Sequence, residues 1–145
     1  PRNTPPKGDP ARPEPCAVED PRVGKITRHI DLGWLRILDV KKAMAVRGWD
    51  HQGSVTFHVV DPMGYAEGTW QVDVEAPGAP ATVTKVDDST DAATLDVAAL
   101  GSLYIGMGRG FSLAAAHRIT GTDEQIAAVD RMFSTVDVAH NISEF

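Results

Sequence analysis

The middle of the chain alternates hydrophobic and polar residues in three successive stretches, at 54–61, 68–75 and 82–86. Alternation of this kind predicts β-strands with one buried face and one wet face. Turn residues separate the stretches: 61–64 places Pro and Gly as a type I turn prefers, and 77–80 is Pro-Gly-Ala-Pro. The pattern therefore predicts an antiparallel meander whose apolar face needs a cover.

Two further elements are predicted ahead of the meander. Residues 34–40 carry apolar side chains at both even and odd positions, which predicts a strand that is buried on much of both faces. Residues 41–47 predict a short helix that is closed by Gly48. Both elements are therefore expected to contribute to the core before the first alternating stretch begins.

The longer helical patterns come in the last third of the chain. A short strand near Leu95 leads to Asp96, which can cap a helix over 97–105. The glycine-rich stretch 106–110 ends that helix, and the alanine-rich stretch 111–118 predicts another one. These helices are predicted to supply part of the cover that the meander needs.

The last predicted helix has a clear start signal. Thr122 and Gln125 have the spacing of a capping box, and the helix is expected to run to about Ser134. Its inward-facing residues are predicted to be Ile126, Val129, Met132 and Phe133. Strands first and helices last indicate an α+β layered fold, with a largely antiparallel twisted sheet and helices packed on one face.

The first 22 residues differ in composition from the rest of the chain. They hold seven of the ten prolines, interleaved with charged residues, and cannot bury enough apolar area to pack by themselves. We therefore predict a proline-rich linker or arm over 1–22 and one domain over 23–145. The chain starts with Pro1 rather than Met, which predicts either an excised piece or the tail of something larger. Cys16, the single cysteine, lies in this arm and is expected to be an ordinary surface thiol.

Length and charge narrow the function classes. The 145 residues are enough for one domain with a hydrophobic core. There are 14 basic and 20 acidic residues, a formal charge of -6, and neither sign forms a long block, which argues against a nucleic-acid partner. No window reaches the roughly 20 apolar residues of a membrane span, and the front end lacks the apolar core of a secretion signal. We expect a soluble, cytoplasmic protein.

No motif for self-contained catalysis is present in the sequence. The glycines at 106–110 match neither the dinucleotide fingerprint, nor the P-loop, nor the acetyl-CoA loop of acetyltransferases, so a helix break is predicted there. No nucleophile elbow appears. The histidines lack metal-ligand spacing, and we expect solvent-facing or singly hydrogen-bonded side chains at His29, His51, His58, His117 and His140. We therefore expect no metal and no cofactor in this chain, and no catalysis by it alone.

Several segments together resemble a known family. They are Glu-Asp-Pro-Arg at 19–22, the run from Leu to Val at 32–40, the hairpin at 53–61 and 68–74, and Leu-Asp-Val-Ala-Ala-Leu-Gly at 95–101. In this order and spacing they resemble the C-terminal sterol-carrier-protein-like (SCP2-like) domain of the Eis-type GNAT N-acetyltransferases, over residues 19–145. The resemblance implies an SCP2-like fold that follows two acetyltransferase-type domains in the complete enzyme.

The resemblance also implies a role for the end of the chain. In that family the terminal carboxylate enters the active site of the neighbouring domain, where it can serve as the general base on a substrate amine. The matching group here is the α-carboxylate of Phe145, and acidic neighbours such as Glu144 strengthen the attraction for cations. Acetyl-CoA is expected to bind the GNAT domain of the full-length enzyme rather than this chain. The alternative is a frayed terminus without a role.

Three functions therefore stay open. The leading one is an accessory domain of an Eis-like amine N-acetyltransferase, which shapes the substrate cleft and supplies the Phe145 carboxylate to a separate GNAT domain. The second is a stand-alone sterol- or lipid-binding carrier with an apolar cavity, and the third is an interaction module that builds an oligomer. Periodicity does not separate a ligand tunnel from an ordinary packed core at Trp34, Trp49, Trp70, Phe57, Phe111, Phe133, Met44, Met107 and Met132.

Overall fold

The computed structural model describes residues 34–88 and 91–136. In these ranges the elements follow one another as α1 (Val40–Val46), β1 (Gly53–Val60), β2 (Gly68–Val74), β3 (Thr82–Val86), β4 (Ala93–Asp96), α2 (Val97–Tyr104), α3 (Gly110–Ala115), β5 (Ile119–Thr120) and α4 (Asp123–Phe133). The proline-rich arm at 1–22 with Cys16, the domain boundary at residue 23, and Phe145 lie outside the described residues.

The strands of the described ranges form one sheet with the order β3-β2-β1-β4-β5. β1, β2 and β3 are an antiparallel meander, as the alternation predicts, and Val55, Val72 and Val83 lie side by side across it. β4 pairs with β1 in parallel, and β5 adds an antiparallel edge. The expectation of a largely antiparallel sheet in an α+β fold is thus confirmed.

The core lies between the apolar face of the sheet and the helices. The ring of Phe133 contacts those of Trp49 and Phe57 edge-on, with centroids 5.2 and 5.6 Å apart, and all three side chains are fully buried. The helices add further buried residues to the same cluster, namely Val40, Met44, Leu100, Leu103, Ile126, Val129 and Met132. The predicted inward face of the last helix is confirmed, as is the packing of helices on one face of the sheet.

α1, α2 and α4 begin at side-chain caps. Asp39 and Asp96 each accept a hydrogen bond from an amide of the first turn, at 3.0 and 2.7 Å. At α4 the capping box is complete, because the side chains of Thr122 and Gln125 each bond to the other's amide. The starts predicted at Asp96 and Thr122 are therefore confirmed, and the helix predicted at 41–47 forms one residue earlier.

α3 is shorter than the helix predicted over 111–118. His117 adopts φ 57, and its amide donates to the carbonyl oxygen of Ala114 (2.9 Å), while the Arg118 amide donates to that of Leu113 (2.8 Å). These two bonds form a Schellman motif, which ends the helix. The chain then enters β5, a two-residue strand that the hydrophobic pattern did not predict.

The strand predicted over 34–40 is wrong. Residues 34–39 pair with no strand of the described sheet, and Trp34 is 93% exposed. The segment instead crosses α2, where the carbonyl oxygen of Leu35 lies 2.7 Å from the point that a Cβ would occupy at Gly101. Ile37 is buried against the core, whereas Leu38 faces solvent. Apolar residues at both even and odd positions therefore do not indicate a strand here. They belong to an irregular segment in which some side chains face the core and others face water.

Candidate functional site

The group that the resemblance assigns to catalysis, the Phe145 carboxylate, lies outside the described residues, as does Glu144. The structure describes the beginning of the segment that leads to them, as far as Val136. We call the surroundings of this segment the tail exit, which comprises Arg47, Asp50, His51, Gly106 and residues 133–136. The tail exit is the part of the candidate site whose geometry is described.

Arg47 lies buried at the base of the tail exit, directly after α1. Its guanidinium donates to the main-chain oxygens of Tyr104 (3.0 Å) and Phe133 (2.8 Å). A third bond goes to the oxygen of Gly48 (3.1 Å), and the group lies 4.5 Å from the ring centroid of Trp49. Tyr104 and Phe133 are the last residues of α2 and α4, where helix dipoles concentrate negative partial charge. Arg47 thus joins two helix ends where the C-terminal segment starts.

The buried cation of Arg47 is balanced mainly by neutral groups. Burial lowers the pKa of the guanidinium, and the charge of Asp50, with a smaller contribution from Tyr104, acts in the opposite direction. An arginine nevertheless stays protonated throughout the physiological range. Carbonyl oxygens and an aromatic face therefore stabilise this charge, with a nearby carboxylate that does not contact it directly.

Polar contacts hold the chain where it leaves α4. The amide of Ser134 still donates to the Asp130 oxygen (3.0 Å), as the last bond of the helix. Its hydroxyl lies 3.0 Å from Nε2 of His51. Two residues later, the Val136 amide donates to Oδ2 of Asp50 (2.8 Å). The first residues after α4 are therefore tied to the two residues that precede the loop into β1.

The glycine-rich stretch 106–110 is packed against the protein's own groups. The side chain of Thr135 occupies the space beside Gly106 that any larger residue would need, and Asp130 fills the corresponding space at Gly110. The amides of residues 106–108 donate to main-chain oxygens of α2, and the Gly110 amide donates to Oδ1 of Asp130 (2.6 Å). Because these donors and this space are already used, the stretch does not fit the phosphates of acetyl-CoA. It is a break between two helices, as predicted.

Asp130 is a buried carboxylate that the sequence analysis did not single out. Arg109 binds it through two nitrogens, at 3.1 and 2.7 Å, and the hydrogen bond raises the pKa of Arg109. Together with the Gly110 amide, this pair fixes the start of α3 against α4. The signal that could have revealed it is an aspartate next to Val129, on the apolar stripe of the last predicted helix.

Asp61 is a second buried carboxylate, in the turn between β1 and β2. It accepts hydrogen bonds from the amides of Ala66 (2.9 Å) and Met63 (3.0 Å) and pairs with the Arg36 guanidinium. The Ala66 bond is the largest cause of a lowered pKa at this carboxyl group, against the opposing effect of burial. Asp61 therefore orders its own turn and ties the 34–39 segment to it.

The described histidines do not converge on one site. His58 lies on the polar face of the sheet, where Nδ1 is 2.8 Å from Oγ1 of Thr69, which in turn donates to Asp88 (2.8 Å). His51 belongs to the tail exit, and His117 ends α3. Across residues 34–88 and 91–136, no group of three His, Cys, Asp or Glu side chains is placed to hold a metal. Two histidines lie outside the described residues: His29 and His140.

The aromatic and methionine side chains named for a ligand tunnel divide into two groups. Five lie in or against the packed core: Trp49, Phe57, Phe133, Met44 and Met132, with Trp70 half-buried beside them. The others are exposed: Trp34, Met107 and Phe111. The edge-on contacts among the first group are those of an ordinary core, which supports that interpretation over a tunnel.

The helices of the described ranges are all too short or too polar to cross a membrane.

Comparison with known proteins identifies the family. A family model described as the sterol carrier protein domain matches residues 40–140. An uncharacterized N-acetyltransferase of Streptomyces avermitilis is 36% identical over 115 residues, which cover 79% of this chain and 27% of the relative. The N-acetyltransferase Eis of Mycobacterium tuberculosis is 31% identical over 126 residues, covering 81% of this chain and 28% of that protein.

A solved structure leads to the same conclusion. The crystal structure of Eis1 from Mycobacterium abscessus superposes with a TM-score of 0.71 at 28% sequence identity, over 88% of this chain and 32% of that one. The chain spans less than a third of the length of each of these relatives. It belongs to the sterol carrier protein domain family, in the form found in Eis-type N-acetyltransferases.

Proposed function

We propose that this chain is the accessory domain of an acetyl-CoA-dependent amine N-acetyltransferase. It shapes the substrate cleft and supplies the Phe145 carboxylate as general base to a separate GNAT domain. The observation that carries the proposal is the tail exit, where the chain leaves α4 under the control of polar contacts up to Val136. The nine residues from 137 to 145 span at most about 30 Å when extended. A neighbouring domain within that distance is in reach.

The chemistry of a terminal carboxylate suits the task. An α-carboxyl group has an ordinary pKa of about 3.5, so it is ionised at neutral pH and can accept a proton. Held beside a substrate ammonium, it takes that proton and leaves a neutral amine as the nucleophile. Acetyl-CoA itself belongs to the GNAT domain in this proposal, because the glycine-rich stretch of this chain does not fit it.

Two further statements belong to the proposal. The arm over 1–22 acts as a linker to the domain that begins at residue 23, and the complete protein works in the cytoplasm. Relatives named as N-acetyltransferases support a GNAT partner domain. The alternative of a stand-alone lipid carrier finds less support, because Trp49, Phe57 and Phe133 pack against one another rather than around a space.

The test uses the full-length polypeptide that contains this chain. Deletion of Phe145 moves the terminal carboxylate back by one residue, about 3.5 Å. We expect kcat for amine acetylation to fall by about 10²–10⁴-fold, the usual contribution of a general base. Phe145→Leu, which keeps the carboxylate in place, is the matched control and should retain most of the activity. Turnover that survives the deletion unchanged would show that the carboxylate is not the base.

A further inference from the structure

We infer that Asp50 and His51 are positioning residues for the terminal carboxylate, because they fix the direction in which residues 134–136 leave the domain. The inference rests on the proposed function, since it concerns how the same carboxylate reaches its site. It goes further in assigning a role to two side chains that lie more than eighty positions before the end of the chain.

The two contacts form a guide that starts at the helix end. Ser134 is the C-cap residue of α4, and its amide and hydroxyl donate to the Asp130 and Arg131 oxygens, whereas Val136 lies beyond the helix. Nε2 of His51 meets the hydroxyl of Ser134, and Oδ2 of Asp50 meets the amide of Val136. Consecutive residues before β1 thus bind alternate residues of the departing chain, as they would along an extended segment. Ser134 has extended backbone angles, φ -63 and ψ 143, so the chain leaves the helical path at the first of the two contacts.

The space beside Gly106 adds a third constraint on the course of residues 134–136. Gly106 has φ 72 and no side chain, and the side chain of Thr135 occupies the space that remains. Thr135 lies between the two residues that Asp50 and His51 bind. Each of the three residues after α4 is therefore in contact with the domain, Ser134 and Val136 through one loop and Thr135 through another.

Packing does not explain why the chain keeps this course at residue 136. The Val136 side chain is 81% exposed, so no burial of apolar surface holds residue 136. An exposed amide can bond to water with little loss of free energy, yet the Val136 amide bonds to the carboxylate of Asp50. Asp50 is itself exposed and caps no described helix. The contact therefore adds direction to the chain rather than stability to the core.

The size of the fall in kcat distinguishes a guide that sets the direction of the chain from one that only shortens its free length. If the number of residues after the last described contact were all that mattered, release of residues 134–136 would raise that number from nine to twelve and dilute the chain end by only about 1.5-fold. Loss of orientation at a reacting group has a much larger effect, up to about 10²-fold for a displacement of 1 Å. A guide that sets direction therefore predicts a loss well above 1.5-fold.

The kinetic test compares Asp50→Ala with Asp50→Asn in the full-length polypeptide. Alanine removes the acceptor for the Val136 amide, and we expect kcat to fall about tenfold with KM for acetyl-CoA unchanged. Asparagine keeps an acceptor oxygen and should restore most of kcat. His51→Ala should lower kcat in the same direction. Glu75→Ala, an exposed carboxylate beyond β2, is the control and should leave kcat unchanged.

A second measurement needs no acetyl transfer. In the full-length polypeptide, Asp50→Ala should speed hydrogen exchange of the Val136 amide, while Asp50→Asn, which also lacks the charge but keeps an acceptor oxygen, should leave that exchange close to the parent's. Unchanged exchange would contradict the guide directly. If Phe145 deletion abolishes turnover but Asp50→Ala retains full kcat, the positioning role is wrong, while the proposal that the carboxylate is the general base still stands. If Phe145 deletion has no effect while exchange at Val136 still rises, the proposed function fails and the positioning role fails with it, leaving only a structural contact.

Discussion

At the scale of single residues, Arg47 shows how a buried charge can be stabilised without a direct ion pair. Its three hydrogen bonds go to main-chain oxygens, two of which close α2 and α4. A helix C-terminus presents carbonyl groups that lack intrahelical partners, and a guanidinium with several fixed donors can satisfy more than one of them. Arg47 therefore replaces the capping that these helix ends would otherwise need from water.

We predict that Arg47→Met lowers the free energy of unfolding by about 2–4 kcal/mol, because buried carbonyl oxygens lose their donors. Urea unfolding followed by circular dichroism measures the change. Lys41→Met, at an exposed position of the same helix, is the control and should stay within about 0.5 kcal/mol of the parent. An equal effect of the two substitutions would contradict the role given to Arg47.

Asp61 gives a prediction about pH. Its folded-state pKa lies below the ordinary aspartate value of about 3.9, so its stabilising effect is fully present above that value and is lost as pH falls through the folded pKa. Asp61→Asn should therefore unfold several degrees below the parent at pH 7. The gap should narrow as the pH is lowered from about 4, since the parent alone loses the ionised carboxylate. Thermal unfolding at pH 7 and pH 3 measures both values, and a gap that widens in acid would contradict this account.

Neither residue could be assigned its partners from the sequence. Arg47 belongs to the short helix predicted at 41–47, but two of the three oxygens that it binds belong to residues 57 and 86 positions away. Asp61 was interpreted as a turn residue, which is correct, while its pairing with Arg36 depends on a segment that was predicted to be a strand. Local patterns report local geometry, and contacts of this separation follow only from the complete fold.

At the scale of elements, the Schellman motif at the end of α3 contains an unfavourable residue. The position with positive φ usually holds glycine, because a Cβ there is crowded by the following carbonyl group. Here it holds His117, which is exposed and whose backbone alone makes the motif. The element therefore ends under mild strain that a single substitution can remove.

We expect His117→Gly to raise the free energy of unfolding by about 1 kcal/mol, the approximate steric penalty of a non-glycine residue in this conformation. Ala115→Gly, two residues earlier in the right-handed part of the helix, should lower it by about 0.5–1 kcal/mol. The opposite signs can be read from paired urea titrations. Two changes of the same sign would show that position 117 is not held at positive φ.

The elements that were predicted correctly are those whose signals are redundant. The meander combined alternation with turn residues, and α4 combined a capping box with an apolar stripe. The segment 34–39 offered apolar content alone, which a strand and an irregular covering segment share. β5 is two residues long and forms by pairing with β4, so it has no periodicity to detect.

At the scale of the whole molecule, Phe133 connects the layers. It is the last residue of α4, it contacts the ring of Trp49 after α1 and that of Phe57 in β1, and its carbonyl oxygen accepts from Arg47. Core packing and the tail exit therefore meet at one residue. The sequence predicted that Phe133 faces inward, but it did not predict that the candidate site starts there.

Phe133→Ala should lower the free energy of unfolding by about 3–5 kcal/mol, because it leaves a cavity between Trp49 and Phe57. Phe111→Ala, at a half-exposed position on α3, should stay within about 0.5 kcal/mol of the parent. Chemical denaturation of both variants tests the difference. A small effect at Phe133 would mean that the layers are held together elsewhere.

The tail exit is assembled from three parts that are far apart along the chain: Arg47, Asp50 and His51 come first, Gly106 follows, and residues 133–136 come last. None of them can form it alone, because its contacts join residues that lie more than 80 positions apart. A copy of the domain in which α4 has not docked therefore lacks the contacts that order residues 134–136. Docking of the last described helix and ordering of the residues that follow it thus become a single folding event.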